Sequence, residues 1–233
     1  MHPCTSISAE SDKQWRTGYS ARSLAYCWEE AQGFPKSVVD VFQSSPYELF
    51  HSIEFVLGIP EHKVDLPPKG GRPSQNDIFV LGKSGNQLLS IAVEGKVNET
   101  LGPTVAEKRK DMSPGVKERL EFLIDLLQLN NKELDPIRYQ LLHRTTSALI
   151  EADRFSATAP GVALPPASMQ SCAANALMLV HSFSQEHKWF EDYAAFAGLY
   201  GIEAELNRVH YVGTFNGKEL YFAWVTGENS YKS

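Results

Sequence analysis

Asn76 to Val97 runs NDIFVLGKSGNQLLSIAVEGKV, and the architecture of the chain turns on it. Two runs rich in β-branched and aromatic residues, 76–83 and 87–97, flank the turn residues Ser84-Gly85-Asn86, which predicts a β-hairpin. Alternation along the second run puts Leu89, Ile91, Val93 and Val97 on one face and Ser90, Ala92, Glu94 and Lys96 on the other. A turn centred between Gly85 and Asn86 pairs residues whose numbers sum to 171, which sets Asp77 opposite Glu94, while a one-residue change of register sets it against Val93 or Gly95 and leaves its side open. Two carboxylates and an ammonium then meet at one end of the hairpin, beside small residues. Like charges that close repel unless a cation sits between them.

Upstream of the hairpin, the pattern predicts a helix from Ser20 through Glu30, a break at Gly33-Phe34-Pro35, and a short helix carrying Val38, Val39, Val41 and Phe42. PYELFHSIEFVLG (46–58) is expected to be a further helix with Phe50, Ile53 and Leu57 on its apolar face. Glu54 would lie within that arc, where a carboxylate is costly unless it is paired or ligates a metal. EHKVDL (61–66) is expected as a strand leading into the loop PPKGGRPSQ.

Downstream, 97–114 is expected to be mostly loop. Helices are expected at about 115–128 and 136–152, a buried strand at NALMLVHSF (175–183) and a helix at KWFEDYAAFAGLYG (188–201). A second hairpin, RVHYVGTF and ELYFAWVTG, turns at Asn216-Gly217. Residues 1 to about 19 have the composition of a tail, and FSATAPGVALPPAS (155–168) that of a loop. The expected class is mixed α/β, with helices flanking a central sheet.

Composition narrows the function. With 22 Lys+Arg against 28 Asp+Glu in 233 residues, the net charge of −6 disfavours a protein that binds nucleic acid over its whole surface, though not one with a local basic groove. No apolar run reaches membrane-spanning length, and the first residues lack a basic and then apolar leader, so no membrane partner is expected. Cys4, Cys27 and Cys172 are odd in number and far apart, as expected for free thiols in a reducing, cytoplasmic setting.

Several apparent motifs lack their context. Gly82-Lys83-Ser84 mimics the end of a phosphate-binding loop, but position 77 is Asp where a glycine is required. The seven histidines show no zinc spacing. The tripeptide Glu-x-Lys occurs at 61, 94 and 186, so the spacing alone says little; only the pair at 94 and 96 has an opposed aspartate. Trp189, Phe190, Tyr193 and Phe196 follow helical spacing and are expected in the core rather than as a base-stacking platform.

Asp77 followed by Glu94-x-Lys96 on adjacent strands, after a helix carrying Glu54, resembles the PD-(D/E)xK nuclease superfamily. IPEHKVDLPPKGGRPSQNDIFVL, IAVEGKVNE and RYQLLHRTTSALIEA resemble a bacterial family of nuclease-like proteins within it. The likeness covers about residues 46–182, leaving 1–45 as an N-terminal helical extension and 183–233 as a C-terminal helix and hairpin. It implies a restriction-endonuclease-like core ordered helix, three strands, helix, strand, and a Mg²⁺- or Mn²⁺-dependent hydrolase of phosphodiester bonds, with DNA as substrate.

By the same resemblance, Asp77, Glu94 and the Gly95 carbonyl ligate the metal and Lys96 holds or helps deprotonate the attacking water. Glu54 anchors a second metal or a metal-bound water, and Gln140, near the start of the next helix, orients Lys96 or a phosphate. From their place in the Gly/Pro loop just before Asp77, Lys69 and Arg72 are either contacts to backbone phosphates or part of an ordinary solvated loop; pairing as a homodimer is common among restriction-type enzymes. Asn76 stands where the signature has proline, and about 40 residues separate Lys96 from the next core helix. Because the superfamily also includes members without activity, a silent nucleic-acid- or protein-binding module is the alternative, and a hydrolase of another phosphate substrate a weaker one.

Overall fold

The computed structural model describes residues 20–111, 113–156 and 173–232. The expected N-terminal tail and most of the Pro/Ala/Ser loop lie outside them, as do Cys4 and Cys172. Helices α1 (Ser20–Ala31), α2 (Lys36–Gln43) and α3 (Glu48–His51) precede strand β1 (Glu54–Pro60). Next come the two-residue strands β2 (Lys63–Val64) and β3 (Ser74–Gln75), then the predicted hairpin, β4 (Ile78–Ser84) and β5 (Gln87–Lys96). Helices α4 (Val105–Arg109), α5 (Pro114–Leu126) and α6 (Tyr139–Ser156) lead to β6 (Ala173–Ser182). The chain continues through α7 (Phe190–Gly198), β7 (Arg208–Phe215) and β8 (Lys218–Thr226).

The six-stranded sheet has the order β1-β4-β5-β6-β8-β7. β1, β4 and β5 form an antiparallel meander, β6 adds parallel to β5, and β8 adds parallel to β6 with β7 antiparallel at the edge. The class is mixed α/β, with helices on both faces. Ile78 pairs with Val93 and Ser84 with Gln87, so the hairpin register sums to 171 as the turn predicts. The two faces also divide as the alternation predicts. Leu89, Ile91, Val93 and Val97 pack with Leu24, Val38 and Phe42 of α1 and α2, whereas Ala92 joins the α6 and α7 side with Leu141, Leu142 and Phe196. Ser90 on that side donates to the Ala148 carbonyl of α6 at 2.9 Å. Tyr193 and Phe196 are fully buried, and Trp189 and Phe190 pack against the same cluster, so the aromatic stripe is core.

Two expectations need correction. The helix expected over 46–58 is one turn long, because IEFVLGIP forms β1, an edge strand with a bulge between Phe55 and Leu57. Its helical spacing of apolar residues competes with β-branched and aromatic content, and the open edge of β4 decides for the strand. EHKVDL contributes only Lys63–Val64, paired with Ser74–Gln75 in a separate ladder. The first strand of the meander is therefore β1.

Residues 97–138, between β5 and α6, are a packed insertion. Thr104 caps α4 through a reciprocal capping box with Glu107. Leu101, Val105, Leu120, Leu123, Leu127 and Leu134 bury in the α6-side core. The two ends of the insertion are pinned together by hydrogen bonds from the Val105 amide to Ile137 at 2.8 Å and from the Tyr139 amide to Pro103 at 2.9 Å.

Candidate functional site

The C-terminal end of β5 and the first turns of α6 bring the chemistry together. Glu94 and Lys96 share the α6 face of β5, with side chains only 2% and 4% exposed. Glu94 Oε1 accepts from Lys96 Nζ at 2.7 Å and from Gln140 Nε2 at 2.6 Å. Its Oε2 accepts from Arg144 Nε at 2.5 Å. Gln140 and Arg144 are four residues apart on α6 and therefore share a face one turn apart. Arg144 Nη1 also donates to Ser74 Oγ and His143 Nδ1, both at 3.2 Å. A guanidinium can only donate, so His143 Nδ1 is an acceptor and its ring proton sits on Nε2.

Asp77 directly precedes the last hairpin pair, Ile78 with Val93, and its charge interacts with that of Glu94. Its Oδ2 accepts the Gly95 amide at 2.8 Å, and its backbone carbonyl accepts the Glu61 amide at 2.9 Å. The lack of a side chain at Gly95 is needed here. A Cβ would come within 3.1 Å of Leu24, 3.2 Å of Ser20 and 3.4 Å of Asp77 Oδ2, so α1 packs directly on the backbone behind the site.

The two carboxylates differ electrostatically. Burial pushes the Glu94 carboxyl up, but Arg144 and Lys96 outweigh it and hold the group below the usual range. Burial and then the neighbouring Glu94 charge push Asp77 up to about 7, against Arg144, Lys96 and the Gly95 amide. One buried carboxylate is thus fully paired while its neighbour sits near its neutral form. Such a divergence of two close acids is common at reactive sites.

Other expected residues lie elsewhere. Glu54 is exposed at the start of β1, opposite Lys83, which in turn pairs with Leu88. Glu94 is six residues up β5 from there, roughly 20 Å at ~3.3 Å per residue. Glu54 therefore takes no part in this site, and the buried-helix argument for it fails with the helix. Lys69 is exposed and does not line the adjoining cavity; Arg72, also exposed, does. Gly95 reaches the site through its amide. Arg144, Ser74 and His143 were missed by the sequence reading, although the four-residue step from Gln140 would have found Arg144.

Among the described residues, no group of three or more His, Cys, Asp or Glu side chains forms a metal cage. Cys27 is buried, and its thiol is pushed up to about 12 by burial and then by Glu228 and Glu30, so it is a poor nucleophile.

Sheet and site together define a mixed α/β protein with a buried carboxylate–cation cluster where strand β5 meets helix α6. Over residues 4–164 and 167–229 the chain matches the model of a family described as a domain of unknown function, DUF6946, and it belongs to that family. No curated protein and no solved structure matches it. Among the described residues no helix is long and apolar enough to cross a membrane.

Proposed function

We propose that this protein is a divalent-metal-dependent nuclease of the PD-(D/E)xK kind, hydrolysing phosphodiester bonds of DNA. The observation that carries this reading is the convergence of Asp77, bonded to the Gly95 amide and electrostatically coupled to Glu94, with Glu94's own partners Lys96 and Gln140.

The donor set suits a hard cation that keeps several waters, because Mg²⁺ is commonly held by only one or two carboxylates. The Gly95 amide takes one lone pair of Asp77, and a carboxylate offers about four. Asp77 and Glu94, with the Gly95 carbonyl, would hold Mg²⁺ or Mn²⁺. When bound, the ion supplies charge for the crowded phosphorane and acidifies water. With Glu54 at the far end of the sheet, a second metal has no assigned ligand.

The remaining work falls to the chain. Lys96, locked on Glu94, holds a positive charge where an attacking water must lose its proton. Gln140 fixes the Glu94 carboxylate through Oε1. Arg144 has further N–H groups on neutral partners, Ser74 and His143, and keeps donor capacity for a phosphate oxygen.

One observation favours the silent-module alternative. Arg144 already gives Glu94 a protein counter-ion, which a binding scaffold needs and a metal site must share. Melting with and without Mn²⁺ separates the two. Under the nuclease reading wild type gains thermal stability with the metal, and Asp77→Ala abolishes that gain. Plasmid, linear and single-stranded DNA should be cleaved by wild type with Mn²⁺ and not by Lys96→Ala. No cleavage of any substrate, with no metal-induced shift, would sink the nuclease reading and leave the scaffold.

A further inference from the structure

A cavity of about 550 Å³ opens beside the site, between the loop before β3, the insertion and the first turns of α6. Among the described residues its lining includes Arg72, Lys108, Arg119 and Arg144 and no carboxylate. In a chain of net charge −6, four cations around one cavity are a marked local reversal.

How these cations are held matters more than their number. Arg119 donates from Nε to the Pro67 carbonyl at 2.7 Å and from Nη2 to the Leu66 carbonyl at 3.3 Å. Lys108 lies over the Tyr139 ring, 5.3 Å from its centroid. Both are anchored by neutral groups that fix the charge without cancelling it. Neither of them, nor Arg72, makes an ion pair with a described carboxylate, while Arg144 and Lys96 share Glu94. The field is felt at His143. Burial first, and then Arg144, Arg119, Lys108 and Lys96, push its pKa well below the usual histidine range, so the ring is neutral. Ser113 and Gly115, at the start of the 13-residue helix α5, line the same cavity and add the positive end of a helix dipole.

We infer that the insertion 97–138 builds a phosphate-binding cleft with Lys108, Arg119 and Arg72, which seats a single-stranded nucleic-acid segment and leads it to Glu94 and Lys96. The choice of nucleic acid as the polyanion rests on the proposed nuclease reading; the unbalanced positive charge does not. Its size favours one strand, since a cavity of a few hundred Å³ is that of a small-ligand pocket and accommodates a nucleotide or two, not a duplex. The Tyr139 ring is covered by Lys108 and lies 5.2 Å from His143, so recognition falls on phosphates rather than on stacked bases. This gives the insertion, which the hydrolytic motif does not use, a task. It is the far wall of the substrate channel.

The test is binding without chemistry: fluorescence anisotropy of an end-labelled single strand of about 12 nucleotides, in EDTA at low salt. Wild type should bind, with affinity falling steeply as salt rises. Lys108→Gln and the rim variant Arg72→Gln should each weaken binding by roughly three- to tenfold and lower the log–log salt slope by about 0.7. Lys108→Arg should bind like wild type, and Asp77→Asn as tightly or more so.

Four results would overturn the inference: no binding by wild type; unchanged affinity in both glutamine variants; a loss in Lys108→Arg as large as in Lys108→Gln, which would make Lys108 a packing residue; or a blunt duplex competing as well as the single strand. Strand binding with no cleavage under Mn²⁺ would remove the nuclease reading alone.

Discussion

Glu94 is the residue on which the buried charges depend. Among the described residues it is the one carboxylate hydrogen-bonded by both Lys96 and Arg144, whose side chains are 4% and 7% exposed. Removing one partner of a buried ionic group leaves the other charges uncompensated, which typically costs about 3–5 kcal/mol. Glu94→Gln should therefore lower stability by that order in urea unfolding, far more than an exposed pair such as Lys36–Asp40 would when broken. A loss under about 1 kcal/mol would show that water reaches the cluster.

Asp77 should behave in the opposite sense. Its folded-state pKa stands at about 7 against an ordinary 3.8, so the fold favours its protonated form. That contribution is full below about pH 4 and is lost as pH rises through about 7. The groups facing it are Glu94, Arg144, Lys96 and the Gly95 amide. In metal-free buffer, Asp77→Asn should melt higher than wild type at pH 8, by on the order of 2 kcal/mol after allowing for partial exposure. The difference should vanish near pH 4. Equal pH dependence in the two proteins would place the titration elsewhere.

At the level of elements, the hairpin was legible and the segment before it was not. Turn chemistry at Gly85-Asn86 and strict alternation after it fixed the register of the ladder and the division of the faces. IEFVLGIP carried two competing periodicities, and only the presence of β4 as a neighbour resolves them. Glu54 fell with that choice. Gln140 was placed by resemblance, and Arg144, one turn further along the helix expected over 136–152, was legible from the same spacing but was not singled out. Within the insertion α5 was legible from its apolar stripe, whereas the five-residue α4 is too short to give a period.

The contact between α1 and β5 makes an element-scale prediction. Gly95→Ala introduces a Cβ at 3.1–3.2 Å from Leu24 and Ser20, tighter than most real contacts. α1 must then give way, at about 1–3 kcal/mol of overpacking. The amide of residue 95 still donates to Asp77, so loss of stability with metal response retained would separate packing from chemistry. A wild-type melting curve for Gly95→Ala would mean that α1 is not seated against this strand.

For the molecule as a whole, the sheet is not built in the order in which the chain is written. β6 pairs with β5 across more than 80 residues of sequence, and its other edge is covered only by β8, near the C-terminus. Such long-range parallel pairing is slow to form, since the loop must close before the ladder rewards it. A chain stopped after Gly201 lacks β7 and β8 and should elute as soluble aggregate in size-exclusion chromatography, while the complete chain elutes as one discrete species. A truncated chain that stayed monomeric would show that the β6 edge tolerates exposure.

The placing of β8 has a consequence during synthesis. Until residues 218–226 have left the ribosome, Leu177, Leu179 and their neighbours stand with one row of amides and carbonyls open to any passing extended peptide. A half-made sheet is therefore open until β8 docks, and a need for shielding in that interval follows from strand order.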